Sequence, residues 1–193
     1  MNRLNDGRSD NVEVFWGEIA PCEHLVQIYA DDAAFLDALE GFVGGGIRAG
    51  DAVIVIATAS HHNALEDRLG AAGVDLDAAI EQLAYIPLDA EVALSRFMVN
   101  DWPDEALFNR MVTELIAAAS QGGRRVRAFG EMVAILWAQG HSGATVRLEH
   151  LWNKYCRDEN LSLFCAYPKS GFTKDAAVSL REICAAHTKV LQG

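Results

Sequence analysis

Short apolar runs alternate with amphipathic segments from residue 24 to the end of the chain. The run at 52–57 is apolar throughout and follows a Gly-Asp turn, a pattern typical of a strand buried on both faces of a parallel sheet. Strands are predicted on this basis at residues 24–29, 52–57, 83–88, 124–129 and 161–167. The intervals carry helical periodicity, which predicts helices at 33–48, 60–69, 75–82, 93–99, 102–120, 145–157 and 174–191, and a short one that ends at 137.

Strands that alternate with helices imply right-handed βαβ crossovers. We therefore expect an α/β fold of three layers, in which helices cover both faces of a mostly parallel sheet of about five or more strands. Residues 1–20 are polar and aperiodic, which predicts a flexible N-terminal arm. Residues 21–193 contain neither a linker nor an internal repeat, so they are expected to form a single domain that ends in the helix at 174–191.

Composition narrows the classes of function. The chain has 193 residues, of which 51% are hydrophobic, so it can bury a core. Its 16 basic and 27 acidic side chains give a net charge of −11, whereas direct contact with nucleic acid needs a basic surface. No apolar run has the length of a membrane span, and the first residues lack the apolar core of a signal peptide. We expect a cytoplasmic protein that binds neither nucleic acid nor membranes.

Ligands of open parallel sheets bind beyond the carboxyl ends of the strands. In a nucleotide-binding protein of this architecture, a glycine-rich loop with a lysine follows the first strand and holds the phosphates. Here Asp31 and Asp32 follow that strand, and the three glycines at 44–46 fall late in a predicted helix. The sequence therefore disfavours ATP hydrolysis, and no cofactor is expected.

Glu131 follows a predicted strand at this carboxyl edge. One interpretation is a carboxylate that points into the crevice as a ligand anchor or general base, shielded by Trp137 and Trp152. Arg127, His24 or a donor group of the ligand would then supply the partner that a buried charge needs. The other interpretation is a first-turn residue that complements the dipole of the helix through Trp137.

Glu149 is the second acidic candidate and lies on the flank of the predicted helix 145–157. It either faces the same pocket as Glu131, which would give a two-carboxylate site, or makes a salt bridge at the boundary of the core. Both interpretations stay open, because the separation of the two carboxylates depends on the fold.

Aromatic and histidine side chains near strand ends complete the set of candidates. Tyr29 and Tyr167 end strands, where they either line a pocket or cap the core. His24 opens the first strand, at the edge of the sheet opposite the crevice. His61 and His62 begin a predicted helix and are expected to be solvated, with contact to a metal or ligand as the alternative.

The four cysteines, Cys22, Cys156, Cys165 and Cys184, are far apart in the sequence and form no C-x-x-C pair. Without a secretory signal they are expected to be reduced, mostly buried thiols. No Cys/His group has the ligand spacing of a zinc site, so no metal site is expected. Neither a Ser-His-Asp nor a Cys-His arrangement is recognisable, and no catalytic residue is assigned.

Several motifs occur in order between about residues 24 and 172. They are HLVQIY at 24–29, Gly50-Asp51 before VIV at 53–55, RAFGEM at 127–132, Leu148-Glu149 before Trp152-Asn153, and LFCAYP at 163–168. Together they resemble the MEDS domain, a sensory domain found in a dichloromethane-responsive bacterial repressor and in regulators of methanogens and methylotrophs.

The resemblance implies a RecA-like or circadian-clock-ATPase-like fold, related to P-loop proteins but without the Walker A loop. It also implies sensing of small, hydrocarbon-derived molecules rather than catalysis. The positions that the resemblance marks as pocket or structural signature residues are His24, Tyr29, Glu131, Glu149 and Tyr167.

We therefore expect a non-catalytic sensory module that binds a small, mostly apolar molecule. No helix-turn-helix or kinase domain is recognisable in the sequence, so the output is expected to pass through a separate regulatory protein, such as a kinase or a regulator of transcription or sigma factors. Oligomerisation stays open. One alternative is a diverged nucleotide-binding or hydrolytic enzyme that uses Glu131 and Glu149, and another is a protein-interaction adaptor with a vestigial pocket.

Overall fold

The computed structural model describes residues 16, 19–20, 22–159, 161–172 and 177–192. In chain order the elements are β1 His24–Tyr29, α1 Asp32–Arg48, β2 Ala52–Ala57, α2 Ala59–Ala71, α3 Leu76–Glu81, β3 Tyr85–Asp89, α4 Ala90–Ser95, β4 Met98–Val99, β5 Trp102–Pro103, α5 Glu105–Ala119, β6 Val126–Gly130, α6 Met132–Ala138, α7 Ser142–Glu159, β7 Ser162–Pro168, α8 Ala177–Ala186 and β8 Lys189–Gln192. Single turns of 3-10 helix lie at Gln121–Gly123 and Lys169–Gly171.

A six-stranded parallel sheet in the order β3-β2-β6-β7-β1-β8 is the centre of the fold. The predicted α/β class and mostly parallel sheet are confirmed. The chain crosses the sheet in one direction from β1 to β2 to β3, and in the other direction from β3 to β6, β7 and β8. Because such crossovers are right-handed, α1 to α3 cover one face and α4 to α8 cover the other.

Each face of the sheet packs against its own helical layer. The first core cluster includes Leu25, Phe35, Phe42, Val55, Leu65, Phe129 and Phe164, from the sheet and from α1 and α2. The second includes Val26, Ile54, Phe108, Met132, Leu148, Trp152 and Leu163, from the sheet and from α5 to α7. Alternate residues of one strand therefore belong to different cores, and polar side chains near the sheet are buried unless they lie at a strand end.

Aspartates start four of the helices. The side chains of Asp31, Asp75, Asp89 and Asp104 each accept a hydrogen bond from the backbone N–H three residues later, at 2.8–3.1 Å. Each bond satisfies one of the N–H groups that the first turn of a helix leaves without a partner.

The segment after β3 differs from its prediction. The predicted helix at 93–99 is the short helix α4, Ala90–Ser95, and a two-stranded antiparallel hairpin of β4 and β5 follows it. Asn100 and Asp101 form the hairpin turn with φ of 50° and 59°. Asn and Asp tolerate this left-handed conformation better than most residues, so the Asn-Asp pair was the sequence signal for the turn.

The predicted helix at 174–191 is wrong in its last five residues. The helix ends at Ala186, and β8 then pairs in parallel with β1. Thr188 fixes this change of direction, because its N–H and hydroxyl both donate to the carbonyl of His24, at 2.7 and 3.0 Å. Adjacent apolar residues such as Val190 and Leu191 fit a buried strand as well as a helix, so their pattern did not locate the end of the helix. Residues 173–176 lie outside the described part of the chain.

The last residues of the predicted N-terminal arm that the structure describes belong to the core. The ring of Trp16 lies 6.1 Å from that of Phe42 and 5.9 Å from that of Phe164. Ile19 is 4% exposed. Residues 1–15 and 17–18 lie outside the described residues.

Close packing of α1 on the sheet gives the first testable prediction. A Cβ atom added at Gly46 would lie 2.6 Å from Cγ2 of Val53 and 3.1 Å from Cδ of Arg127, both buried. The Gly46→Ala substitution is therefore expected to lower the free energy of unfolding by about 1–3 kcal/mol, as measured by urea denaturation.

Gly70→Ala is the matched control, because Gly70 also lies in a helix but has open space around the position of a Cβ. It is expected to leave stability unchanged or raise it by up to about 1 kcal/mol. Equal destabilisation by the two substitutions would contradict the assigned packing of α1.

Candidate functional site

Glu131 lies at the carboxyl edge of the sheet, directly after β6. Its N–H donates to the carbonyl of Ile56 in the neighbouring strand β2, at 2.9 Å. Its Oε2 accepts bonds from the N–H and the hydroxyl of Thr58, at 2.8 and 3.1 Å. Because the chain leaves β2 toward one face and β6 toward the other, these contacts span a topological switch point, the usual place for a ligand in open α/β sheets.

Aromatic side chains surround this carboxylate on the side of α1 and α2. His61 donates from Nδ1 to Oε1 of Glu131 at 2.8 Å, and its ring meets that of Phe35 edge to face at 4.9 Å. The ring of Tyr29 stacks on Phe35 at 4.8 Å. Burial, Asp32 and Glu131 raise the pKa of Tyr29 to about 12. The edge thus combines a carboxylate with a small aromatic surface.

The contacts of Glu131 modify both earlier interpretations of this residue. Glu131 is the N-cap residue of α6 by position, but its side chain makes no bond to that helix. It accepts a hydrogen bond instead from Thr58, the N-cap residue of α2. The side chain of Thr58 makes no capping bond to α2. The carboxylate therefore complements the dipole of α2, not that of α6.

The suggested partners of Glu131 are different from those observed. Arg127 lies at the amino end of β6, where it donates to Asp51 at 2.6 Å. His24 lies at the amino end of β1 and contacts Glu149. The expectation of solvated histidines is also wrong, because His61 binds Glu131 and His62 lies 2.9 Å from the carbonyl of Leu88.

Glu149 belongs to a second group of polar residues, buried between the sheet and the helices α7 and α8. Its Oε2 lies 3.4 Å from Nε2 of His24, 3.3 Å from Nε2 of His187 and 3.8 Å from Sγ of Cys165. The hydroxyl of Tyr167 donates to its Oε1. The side chains of Glu149, His24 and His187 are at most 1% exposed. We call His24, Glu149, Cys165 and His187 the buried cluster.

Backbone carbonyls orient both imidazoles of the buried cluster. Nδ1 of His24 donates to the carbonyl of Ala186 at 3.2 Å, and Nδ1 of His187 donates to that of Ile183 at 2.6 Å. Each ring therefore presents Nε2 to the interior of the cluster. The two rings lie 3.9 Å apart.

The electrostatics of the buried cluster follow from burial and from the Glu149 charge. Burial opposes ionisation of Glu149, but the adjacent His187 and His24 outweigh it and hold the pKa of Glu149 below its usual range. Burial opposes protonation of His187 as well, yet the carboxylate raises the pKa of this histidine. Burial and then Glu149 raise the pKa values of Cys165 and Tyr167 well above normal.

The candidates thus separate into two sites. Glu131 and Tyr29 lie at the carboxyl edge, whereas His24, Glu149 and Tyr167 lie together in and beside the buried cluster. The two carboxylates bind different partners from opposite helical layers, so they do not form the two-carboxylate site considered from the sequence.

The two candidate tryptophans pack in the second core. Trp137 donates from Nε1 to the carbonyl of Gly171 at 2.7 Å, and its ring meets that of Tyr167 at 6.4 Å. Trp152 meets Phe108 edge to face at 4.9 Å. Nε1 of Trp152 is buried and has no hydrogen-bond partner among the described residues.

Sequence reasoning did not assign Thr58, His61, Cys165 and His187 to a site. Cys165 and His187 carry no sequence motif of closely spaced ligands, because the four residues of the buried cluster come from segments that are far apart in the chain. For Thr58 and His61 the signal was present: both follow β2 at the same edge as Glu131, on the adjacent strand.

Open cavities occur elsewhere on the surface. One of about 490 Å³ lies at the amino edge of the sheet, beside Arg48, Asp51 and Arg124. Others of about 380 and 270 Å³ lie beside α4 and α6 and between α7 and α8. None of the predicted site residues lines any of these three cavities.

No helix among the described residues is both long enough and apolar enough to span a membrane.

Comparisons with known proteins agree with this architecture. A solved structure of a protein from Pyrococcus horikoshii OT3, described only as a structural study, superposes with a TM-score of 0.56 at 12% sequence identity, and the alignment covers 90% of this chain and 83% of that one. This likeness shows the fold alone. No protein with a curated description matches the chain.

The family comparison covers most of the sequence. Residues 23–188 match the model of MEDS, the methanogen/methylotroph, DcmR sensory domain. The matched range contains both the carboxyl-edge residues and the whole of the buried cluster. The chain therefore belongs to the MEDS family of sensory domains.

Proposed function

We propose that this chain is a non-catalytic sensory module that binds a small, mostly apolar molecule at the carboxyl edge of the sheet and acts through a separate regulatory protein. The observation that carries the proposal is the position of Glu131. The residue is 9% exposed, and its carboxylate lies at a switch point of the sheet, where groups from the adjacent strand and helix hold it. Membership of a sensory family supports the same role.

The charge of this edge determines which ligands fit it. Glu131 occupies the amino end of α2 and Asp31 caps α1, so the protein's own carboxylates take the places where an anionic ligand would bind a helix. A phosphate or carboxylate would meet like charge. The proposed ligand therefore carries a neutral or cationic hydrogen-bond donor, and its apolar part packs on Tyr29 and Phe35.

The contacts of Glu131 also suggest how binding is transmitted. The carboxylate joins β6 and α6 to β2 and α2, so a ligand that takes over its hydrogen bonds releases Thr58 and His61. A ligand shifts a conformational equilibrium only if it binds one state more tightly. Here the favoured state is the one in which the amino end of α2 has moved away from Glu131, and the partner protein recognises that change.

The enzyme alternative has less support. Glu131 and Glu149 share no partner among the described residues, whereas an acid and a base that act on one substrate must both reach it. The hypothesis of a protein-interaction adaptor does not explain why a nearly buried carboxylate with charge-assisted hydrogen bonds lies at a switch point of the sheet.

Replacement of Glu131 by Gln tests the site. The substitution keeps the size of the side chain but removes its charge, so it should lower the free energy of unfolding by about 1–3 kcal/mol while the fold persists. Thermal denaturation should show that n-butylamine stabilises the wild-type protein more than butyrate does, and that Glu131→Gln abolishes this difference.

Glu91→Gln serves as the control, because Glu91 is exposed in the first turn of α4. It should retain the preference for the amine. If the wild-type protein distinguishes the two compounds no better than Glu131→Gln does, the proposed ligand chemistry is wrong.

Nucleotide binding separates the sensory proposal from the enzyme alternative. Calorimetric titration with ATP and magnesium should show no binding at micromolar concentrations, because no glycine cradle or lysine follows β1 and acidic groups occupy that edge. Micromolar affinity, or hydrolysis that is lost in Glu131→Gln, would favour an enzyme.

The pH dependence of stability tests the contact between His61 and Glu131. The hydrogen bond to Glu131 outweighs burial and raises the pKa of His61 above its ordinary value. The folded protein thus holds this proton more tightly than the unfolded chain does. The stability gained is fully present below about pH 6.5, the pKa of the unfolded state, and is lost as the pH rises through the higher folded pKa.

The measurement compares wild-type protein with His61→Asn, which keeps a donor near the position of Nδ1 but does not titrate. Urea denaturation should show a difference of up to about 1 kcal/mol at the acidic end, shrinking as the pH rises beyond about 6.5. In the Glu131→Gln background the difference should not depend on pH. A pH dependence that persists there would assign it to another partner.

A further inference from the structure

The sensing proposed at the carboxyl edge does not use the buried cluster. Its four potential ligand atoms, two imidazole nitrogens, one thiol sulfur and one carboxylate oxygen, all lie within 4.8 Å of one another. They come from β1, α7, β7 and the turn between α8 and β8. Four potential metal-ligand atoms from four separate segments thus converge at one buried position, and this convergence needs a physical explanation.

Four of the six distances between the donor atoms of the buried cluster are close to those between the ligands of one tetrahedral metal ion. Zinc bonds of about 2.0–2.1 Å to nitrogen or oxygen and about 2.3 Å to sulfur place N and O ligands roughly 3.3–3.4 Å apart, and sulfur roughly 3.6 Å from either. Oε2 of Glu149 lies 3.3 and 3.4 Å from the two Nε2 atoms. Sγ of Cys165 lies 3.6 Å from Nε2 of His24 and 3.8 Å from Oε2 of Glu149.

An unpartnered atom points independently to a ligand. Nε2 of His187 is completely buried and makes no hydrogen bond among the described residues, although it faces Glu149. Its Nδ1 is already used by the carbonyl of Ile183. The ion-pair contact with Glu149 at 3.3 Å leaves this buried nitrogen without a hydrogen bond, and a bound cation would satisfy it.

The surroundings of the four residues also match a metal site. Metal-bound histidines almost always donate their other N–H to a carbonyl or carboxylate, and both imidazoles here donate to carbonyls. The hydroxyl of Tyr167 holds the second oxygen of Glu149. A divalent cation with one thiolate and one carboxylate would also leave the buried site without net charge.

We propose that His24, Glu149, Cys165 and His187 form a closed four-coordinate site for a divalent cation of borderline softness, with Zn²⁺ the one its donors fit best. Two imidazoles, a thiolate and a carboxylate are all zinc ligands. With four protein ligands no position stays open for water, so the site is structural rather than catalytic.

The site explains how the C-terminal segment is held on the domain. Of the four proposed ligands, only His187 comes from the α8–β8 segment. The adjacent Thr188 accepts a hydrogen bond from the N–H of His24 and donates to the carbonyl of His24. Cation binding would fasten this segment to β1, β7 and α7. An open cavity of about 270 Å³ between α7 and α8 is lined by Ala185 and Ala186, next to His187 in the chain.

The test starts with the full chain, purified under reducing conditions without chelator. Elemental analysis should find one Zn²⁺ per chain. After removal of the metal, Co²⁺ should give the visible bands of a tetrahedral complex and a thiolate-to-cobalt charge-transfer band in the near ultraviolet. Cys165→Ser should eliminate the charge-transfer band, and His187→Gln should weaken Zn²⁺ binding by at least about 100-fold, since even loss of an outer partner of a ligand costs 10- to 100-fold.

Cys184→Ser and His150→Gln are the matched controls, because both residues lie near the site but outside the buried cluster. They should retain one Zn²⁺ per chain. A second measurement on the wild-type protein avoids dependence on variants that fail to fold: removal of the cation should accelerate backbone hydrogen exchange in β8 more than in β2.

Three results would overturn the proposal. The first is reduced wild-type protein that takes up neither Zn²⁺ nor Co²⁺ stoichiometrically, which would assign the cluster to an ion pair between Glu149 and protonated His187. The second is uptake that Cys165→Ser and His187→Gln leave unchanged, and the third is a cobalt spectrum without a thiolate band. These readouts do not involve Glu131 or its ligand, so failure here is distinguishable from failure of the sensory proposal.

Discussion

A parallel sheet that is covered on both faces imposes one constraint on this protein: every charge beside it must find a partner inside the protein. Water reaches the central strands only at their ends, and an unpaired buried charge is costly. The chain meets this constraint in three places. Asp51 pairs with Arg127 at the amino edge, Glu131 binds Thr58 and His61 at the carboxyl edge, and Glu149 lies among imidazoles in the interior.

The sequence predicted those features that depend on short segments. The run at 52–57 is apolar on both alternating sets of positions, so it indicated a central strand without knowledge of the neighbours. The caps that Asp31 and Asp89 form are equally local, because each bond spans only four residues. The position of Glu131 followed from the rule that parallel strands end at a common edge.

Long-range contacts were beyond the sequence. Whether residues 189–192 continue a helix or add a strand depends on the free edge of β1, which lies far away in the chain. The partner of Glu131 depends on the strand order, because β2 and not β1 is the neighbour of β6. The buried cluster is the extreme case, since its residues range from position 24 to position 187 and satisfy no local spacing rule.

The two sites are joined by packing through α6. Glu131 precedes this helix, and Trp137 near its end contacts the ring of Tyr167, whose hydroxyl binds Glu149. The helix α6 therefore connects the position of Glu131 with the side chain of Tyr167, which in turn binds Glu149 of the buried cluster. Close-packed interfaces change between discrete arrangements rather than deforming continuously. In the proposed mechanism, α6 is supported at its far end by the contact between Trp137 and Tyr167, and the amino end of α2 beside Glu131 is the part that a ligand would shift between two positions.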